Sequence, residues 1–152
     1  MKQLPRVLAL LLDAEQQLAE AWREMAERHS ADYEVARGGK LFFRWSNEDA
    51  AQLEQMRHEF ESASSDEATV IRAALFRPRD EARISLLRDI QDMLALAHYA
   101  RAAATALELA AKVLQHEALG ECVLHCSTRL DREIGWLQTH LKNAAPQALL
   151  VN

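Results

Sequence analysis

The chain has 152 residues, 49% of them apolar, and its 18 basic and 23 acidic side chains give a net charge of −5. This length supports one domain with a full hydrophobic core and is too short for two domains of ordinary size, so residues 1–152 are expected to form a single domain. Both charge signs are interspersed without a basic stripe, which argues against a nucleic-acid binder. The apolar run at residues 7–12 is too short to span a membrane and acidic residues follow it at once, so neither a signal peptide nor a membrane anchor is expected.

The composition predicts an almost entirely helical chain. Only four Gly and three Pro occur, and Ala, Leu, Glu, Gln and Arg are abundant. Cys122 and Cys126 lie one helical turn apart on one predicted helix, a poor geometry for a disulfide bond. A reducing cytoplasm is therefore the simplest compartment.

The first predicted helix begins near Leu4, with Pro5 in its first turn, and extends past His29. One face carries apolar side chains at alternating steps of four and three, interrupted by a single carboxylate at Glu15. The apolar members of this face are Leu4, Leu8, Leu11, Leu18, Trp22 and Met25. The pair Gly38-Gly39 is the strongest helix-breaking signal in the chain and predicts the turn into the second helix.

The second helix is expected from about Asn47 to Phe60. Ser46 with Asp49 three residues later resembles a variant of the capping box, which marks helix starts. Leu53, Met56 and Phe60 are expected to face inward. Three aromatic residues lie beside the predicted turn and are expected either to cap the core or to contact a second copy of the chain: Phe42, Phe43 and Trp45.

The second half of the chain predicts a loop at residues 61–65, a short helix from Asp66 to Phe76 ended by Pro78, and two more long helices. The third long helix begins at about Arg79 and has the apolar face Leu86, Ile90, Met93, Ala97, Ala100, Ala104, Leu107, Ala111 and Leu114. A turn at Gly120 or just before it leads to the fourth long helix, which is expected to end near Pro146. Its apolar face is Val123, Cys126, Leu130, Ile134, Leu137 and Leu141.

Two helical hairpins separated by the long stretch at residues 61–78 predict an all-α, ferritin-like four-helix bundle. In such a bundle a crossover connection joins the two antiparallel hairpins, and here the crossover would contain the short extra helix. The up-down-up-down order, which needs no crossover, remains open.

Three segments resemble known ferritin-like proteins. The run from Asp13 to Leu18, followed by Met25-Ala26, is similar to the first helix of the ferritin-like stress-response proteins of the YciE/YciF type. Phe42, Leu53, Met56 and Phe60 fall at intervals similar to those around the second helix of that family. The segment from Ile134 to Leu141 resembles the end of the last helix of bacterioferritins. The resemblance implies a stress-response protein on a four-helix scaffold.

The ligand residues of that family are mostly absent from this sequence. A ferritin-like dimetal site takes a Glu from each of two helices and a Glu-x-x-His from each of the other two, and the chain contains no Glu-x-x-His. Trp45 stands where the stress-response proteins have a His, and Leu130 with Glu133 stands where bacterioferritins have a ligand pair. The third long helix offers Ala95, Ala97 and His98 at the corresponding stretch. Only Glu15 matches a ligand position well.

Glu15 therefore has two alternative interpretations. In the first, an interior ion pair with Arg101 or Arg57 neutralises it, because an isolated charge in an apolar interior is costly. In the second, Glu15 is a surviving metal ligand for iron, manganese or zinc, together with Glu133, His98 and His140. The ion pair is preferred, which predicts a protein without a cofactor that is not an enzyme.

Other clusters support weaker hypotheses. The pairs Glu54/His58 and Glu121/His125 have a spacing that could hold a metal on a helix surface, but their phase predicts solvated surface pairs. Cys122, His125 and Cys126 lie close in sequence, but a structural zinc would need further ligands. We also expect a homodimer, with a protein partner as a further candidate, because ferritin-like bundles commonly associate through helix faces.

Overall fold

The computed structural model describes residues 3–61, 64–76 and 82–150. These residues form five α-helices: α1 Gln3–Arg28, α2 Tyr33–Glu59, α3 Glu67–Leu75, α4 Ala82–Leu114 and α5 Glu117–Leu150. The expected all-helical chain is confirmed for this part of the sequence. None of the helices described combines the length and the apolar character needed to cross a lipid bilayer.

The four long helices pack in a closed ring around one apolar core. Helix α1 packs against α2 and α4, and α5 packs against the other sides of the same two helices. Arg28 at the end of α1 contacts Asp89 near the start of α4, so these helices are antiparallel. Glu34 at the start of α2 contacts His140 late in α5, which makes this pair antiparallel as well. Helices α1 and α5 therefore run in one direction, and α2 and α4 run in the other.

The short helix α3 lies in the connection that returns the chain along the length of these helices. It packs against α1 and α4, and its buried Ala68 belongs to the core. Asp13 of α1 accepts hydrogen bonds from the backbone N–H of Thr69, at 3.1 Å, and from its hydroxyl, at 2.8 Å. Asp13 thus caps the first turn of α3 from another helix. The predicted short helix is confirmed, and Pro78 lies outside the described residues.

The predicted apolar faces of the first, third and fourth long helices are confirmed as core. Almost every position of these faces is buried, including the small residues Ala97, Ala100 and Ala104 of α4. Fully burying one Leu-sized side chain contributes roughly 1.5–3 kcal/mol to the free energy of folding. The burial of these three faces is therefore a large contribution to the stability of the packed helices. Small residues on α4 let its neighbours approach closely.

The turn predicted at Gly38-Gly39 is wrong, because both glycines lie inside α2. The chain turns at residues 29–32 instead, where the Asp32 side chain caps α2 by accepting a hydrogen bond from the Val35 N–H. A Cβ at Gly38 would lie 2.6 Å from Trp136 Cζ2, and one at Gly39 would lie 2.8 Å from Ala26 Cβ. The glycines thus permit close packing against α5 and α1, which outweighs their cost of about 1 kcal/mol each in a helix interior.

The capping box predicted at Ser46 and Asp49 is wrong for the same reason. Helix α2 starts thirteen residues earlier, at Tyr33, so both side chains lie in mid-helix, and both are buried. The aromatic residues also lie within the helix. Phe42 is part of the core and packs against Trp22, with ring centroids 4.8 Å apart.

The hairpin between α4 and α5 turns just before Gly120, one of the two positions expected. Gln115 adopts a positive φ of 55°, and α5 begins at Glu117. The expected end near Pro146 is wrong, because α5 continues through this proline to Leu150.

Candidate functional site: a buried carboxyl cluster

Three helices each bring one carboxyl group into the same part of the interior. Glu15 of α1 is 0% exposed, and Asp49 of α2 and Glu133 of α5 are each 1% exposed. Each residue occupies a buried position of its helix. The charges of Glu133 and Asp49 act on Glu15, which shows that the three groups lie near one another. A charged carboxylate without compensation costs several kcal/mol in such an environment. Their hydrogen bonds and protonation states therefore decide what the cluster can do.

Glu133 has two hydrogen-bond donors. The indole N–H of Trp22 donates to Glu133 Oε1 at 2.9 Å, and the Ser46 hydroxyl lies 3.4 Å from the same oxygen. Burial raises the pKa of Glu133 to about 8, and the hydrogen bonds from Trp22 and Ser46 act in the opposite direction. At neutral pH Glu133 is therefore largely a neutral carboxylic acid.

Glu15 has no such donors. Neither of its carboxyl oxygens has a hydrogen-bond partner among the described residues. Burial raises the pKa of Glu15 well above its ordinary value, and Glu133 and Asp49 raise it further when they are ionised, while Arg129 opposes the shift. Complete burial without a hydrogen-bond donor and this upward shift of the pKa both favour the neutral, protonated form of Glu15.

Asp49 lies at the outer side of the cluster, where cations reach it. His125 Nδ1 is 3.1 Å from Asp49 Oδ1 and Arg129 Nη1 is 3.4 Å from the same atom. Burial raises the pKa of Asp49, and Arg129 and His125 act against this effect. Arg129 also donates to Glu48 at 2.8 Å and lies over the Trp45 ring at 5.2 Å from its centroid. The cluster is thus acidic inside and closed by a cation at its edge.

The predicted ion pair of Glu15 with Arg101 or Arg57 is wrong. Arg101 Nε donates to Asp131 Oδ1 at 2.8 Å, and Arg57 Nε donates to Glu54 Oε1 at 3.1 Å. The side chains of Arg57 and Arg101 are partly exposed, by 24% and 26%. The cation that acts on Glu15 is instead Arg129.

Of the four candidate metal ligands, the structure brings together Glu15 and Glu133. His98 is exposed on α4. His140 stacks on Trp136 with ring centroids 3.7 Å apart, and its Nε2 lies 3.2 Å from Glu34 Oε2. Within the described ranges, no group of three or more His, Cys, Asp or Glu side chains is arranged to hold a metal ion.

The two predicted surface pairs, Glu54/His58 and Glu121/His125, differ in the partner of the histidine. His58 Nε2 lies 3.3 Å from Glu54 Oε1 on the outside of α2, as expected for a solvated pair. His125 is directed towards Asp49.

The Cys126 thiol, one helical turn from Cys122, lowers the pKa of Cys122. The neighbouring Cys122 and burial raise the pKa of Cys126, and the charges of Glu15 and Asp49 add to this rise.

Sequence reasoning missed Asp49 and Arg129, although a signal for Asp49 was present. Phe42, Ser46, Asp49 and Leu53 continue the alternating steps of four and three, so they lie on one helical face. Gly38 and Gly39 predict a turn just before these residues, so the sequence does not indicate that they continue a helix. Arg129 lies on the fourth long helix, one turn before Glu133, but nothing in the sequence shows that it contacts Asp49.

Comparison of the chain with known proteins found no matching family model, no matching curated protein and no matching solved structure. The function is therefore argued from the site itself.

Proposed function

We propose that the chain is a ferritin-like four-helix bundle of the stress-response or protein-interaction type, not an enzyme, in which the dimetal site has been lost. Two antiparallel hairpins, α1/α2 and α4/α5, support this proposal, because α2 and α4 run in the same direction and α3 lies in the connection between them. A ferritin-like fold has this order of helix directions with one long crossover, whereas an up-down-up-down bundle does not.

The donor set of the carboxyl cluster does not fit a dimetal centre. Such a centre needs a Glu-x-x-His on each of two helices, with both side chains projecting inward. The buried pairs with this spacing that include Asp49 or Glu133 are Ser46/Asp49 on α2 and Leu130/Glu133 on α5, and neither contains a histidine. The hydrogen bond from Trp22 to Glu133 carries the proposal, because it occupies an oxygen that a metal would need.

The cluster instead serves to fix the positions of the helices. Trp22 of α1, Ser46 of α2 and Glu133 of α5 form one hydrogen-bonded group that includes the diagonal pair α1 and α5. A buried polar group of this kind favours the one register in which its members are satisfied. Helices held in one register present a constant outer surface, which a protein that acts by association requires.

The metal content of the protein tests this proposal. Protein purified without chelator and then incubated with Fe(II), Mn(II) or Zn(II) is expected to retain no stoichiometric amount of these ions at the cluster. The Glu15→Gln variant is expected to behave in the same way, and Glu54→Gln controls for weak binding at the surface pair with His58. Stoichiometric metal that is lost in Glu15→Gln and in Glu133→Gln would establish the metal-binding alternative and overturn the proposal.

A homodimer formed by the hairpin end of α4 and α5 belongs to the same proposal. Leu109, Val113 and Leu124 are exposed there by 59%, 85% and 58%. Leu124 also lines a groove at this end, whose charged residues include Lys112 and Glu121. A second copy presents both signs as well, so its lysine can pair with the acidic residues of the first.

The oligomeric state tests this interface. The protein is expected to elute as a dimer in size-exclusion chromatography with light scattering, and Val113→Asp is expected to give a monomer with an unchanged melting temperature. Val70→Asp, at an exposed apolar position of α3, is the matched control and should remain dimeric. A monomeric wild type at high concentration, or a dimeric Val113→Asp, would contradict the interface.

A further inference from the structure

A surface groove lies between the first turns of α2 and the later part of α5. This α2/α5 groove encloses a volume of about 570 Å³, which is within the range of about 300–1,000 Å³ typical of small-molecule sites. Its apolar lining includes Leu41 and Phe42 of α2 and Trp136 of α5. Phe42 and Trp136 pack edge to face, with ring centroids 5.5 Å apart. The groove therefore offers an aromatic wall against which a planar apolar group can pack.

Gly38 determines which edge of the Trp136 indole lies against α2. A Cβ built at Gly38 would lie 2.6 Å from Trp136 Cζ2 and 3.0 Å from Cε2. Because Nε1 is bonded to Cε2, the edge of the indole that carries the N–H lies beside Gly38, which also lines the groove. The Trp136 ring stacks on His140 at a centroid distance of 3.7 Å. Packing against Gly38 and His140 thus holds the indole N–H in one place beside the groove.

Three hydrogen-bond donors line the α2/α5 groove without a protein acceptor. Among the described residues, no acceptor is bonded to the Tyr33 hydroxyl, the Arg37 guanidinium group or the Trp136 indole N–H. Tyr33 and Arg37 are both exposed. Glu34 also lines the groove, but its Oε2 lies 3.2 Å from His140 Nε2. The groove therefore combines an aromatic wall with free donors and one unpaired positive charge.

We propose that the α2/α5 groove binds a small aromatic carboxylate. The ring system packs against Phe42 and Trp136, and the carboxylate accepts hydrogen bonds from Arg37 and from the Trp136 N–H. Arginine binds a carboxylate through two parallel hydrogen bonds, which are stronger than those from neutral donors. The net charge of −5 disfavours anions over the protein as a whole, so the attraction is local to the groove. The site goes beyond the proposed function, because it uses none of the three buried carboxyl groups.

The indole signals of the full chain test the site by nuclear magnetic resonance. The chain has three tryptophans, Trp22, Trp45 and Trp136, and the variants Trp45→Phe and Trp136→Phe assign their indole N–H signals. Addition of 2-naphthoate is expected to move the Trp136 signal along a saturable curve and the Trp45 signal much less. The alcohol 2-naphthylmethanol has the same rings but no charge, so it should bind at least about fivefold more weakly.

Arg37→Gln removes the positive charge from an exposed position and should weaken 2-naphthoate binding at least about fivefold. Arg44→Gln is the matched control, since Arg44 is exposed on the same helix and pairs with Glu48 outside the groove. It should bind 2-naphthoate like the wild type, and circular dichroism confirms that both variants are folded.

Several results would overturn the inference. They are the absence of a saturable shift of the Trp136 signal, an unchanged affinity in a folded Arg37→Gln, an equal affinity for 2-naphthylmethanol, or an equal loss in Arg44→Gln. Tighter binding of the peptide acetyl-Phe-Glu-amide than of 2-naphthoate would also overturn it, in favour of a protein partner at the groove.

Discussion

Two buried carboxyl groups of this protein, Asp89 in α4 and Glu15 in α1, are compensated in different ways. Asp89 accepts a hydrogen bond from Arg28 Nη1 at 3.2 Å and lies 2.7 Å from His29 Nε2. Glu15 has no hydrogen-bond partner among the described residues. Asp89 lies level with the end of α1, where long cationic side chains reach inward from the surface. Glu15 lies in the middle of α1 and faces Glu133 and apolar side chains, so burial without a hydrogen-bonded cation raises its pKa well above the ordinary value.

The largest expected effect comes from removing the compensated carboxylate. Asp89→Ala should lower the free energy of unfolding by about 3 kcal/mol, because it leaves the partly buried His29 and Arg28 without their acceptor. Denaturant unfolding followed by circular dichroism measures this loss. Asp89→Asn keeps an acceptor oxygen and should lose less. Equal stability of Asp89→Ala and the wild type would mean that this ion pair contributes nothing.

Removing the donor to Glu133 should have the next largest effect. Trp22→Phe should lower the free energy of unfolding by about 2 kcal/mol, since it deletes a buried hydrogen bond and part of a buried ring. It should also raise the pKa of Glu133 from its value of about 8, because the Trp22 N–H favours the charged form. Trp45→Phe, which has no bond to Glu133, is the control. A Trp45→Phe loss as large as that of Trp22→Phe would contradict the role of this bond.

The pH dependence of stability should report the protonation of Glu133 in the folded state. The folded-state pKa of Glu133, about 8, exceeds the ordinary value of 4.5, so the folded state holds a proton that the unfolded state releases. Stability should therefore fall as pH rises from about 4.5 to about 8, by at most about 1.4 kcal/mol per pH unit for this group.

Glu133→Gln removes the titrating group and should flatten this profile, as Glu15→Gln should for its own raised pKa. Melting temperatures measured between pH 5 and pH 8 give the comparison. A wild type that becomes more stable across this range, or a Glu133→Gln variant with an unchanged slope, would mean that these carboxyl groups are charged in the folded state.

The smallest expected effect is at Arg101, the arginine that the sequence suggested as the partner of Glu15. Arg101→Gln should change the free energy of unfolding by less than about 1 kcal/mol, because its partner Asp131 is solvent-exposed. The same denaturant experiment measures it. A loss as large as that of Asp89→Ala would show that Arg101 neutralises a buried charge.

Much of the helical layout could be predicted from the sequence. The buried faces of α1, α4 and α5 follow from the spacing of apolar residues, and α3 follows from the polar residues on either side of it. The limits of α2 could not be predicted in this way. Gly38 and Gly39 are poor helix formers, and only the contacts with Trp136 and Ala26 explain their position inside a helix.

The candidate site was predictable only in part. The interruption of an apolar face by Glu15 showed from sequence that a buried carboxyl group needs compensation. Its companions Asp49 and Arg129 could not be predicted. Asp49 fits the pattern of a helix cap, and Arg129 lies at the edge of an apolar face. The two arginines that sequence position favoured pair instead with the partly buried Glu54 and the exposed Asp131.

The sequence by itself determined that this chain is helical, which faces of α1, α4 and α5 are buried, and that Glu15 lies among apolar neighbours. These properties depend on residue spacing along one helix, which the order of amino acids specifies directly. The tertiary structure alone decided that Glu15 meets Glu133 and Asp49, and that no arginine among the described residues hydrogen bonds to it. Such contacts depend on how the helices are positioned along their axes relative to one another, and packing across the core determines these positions.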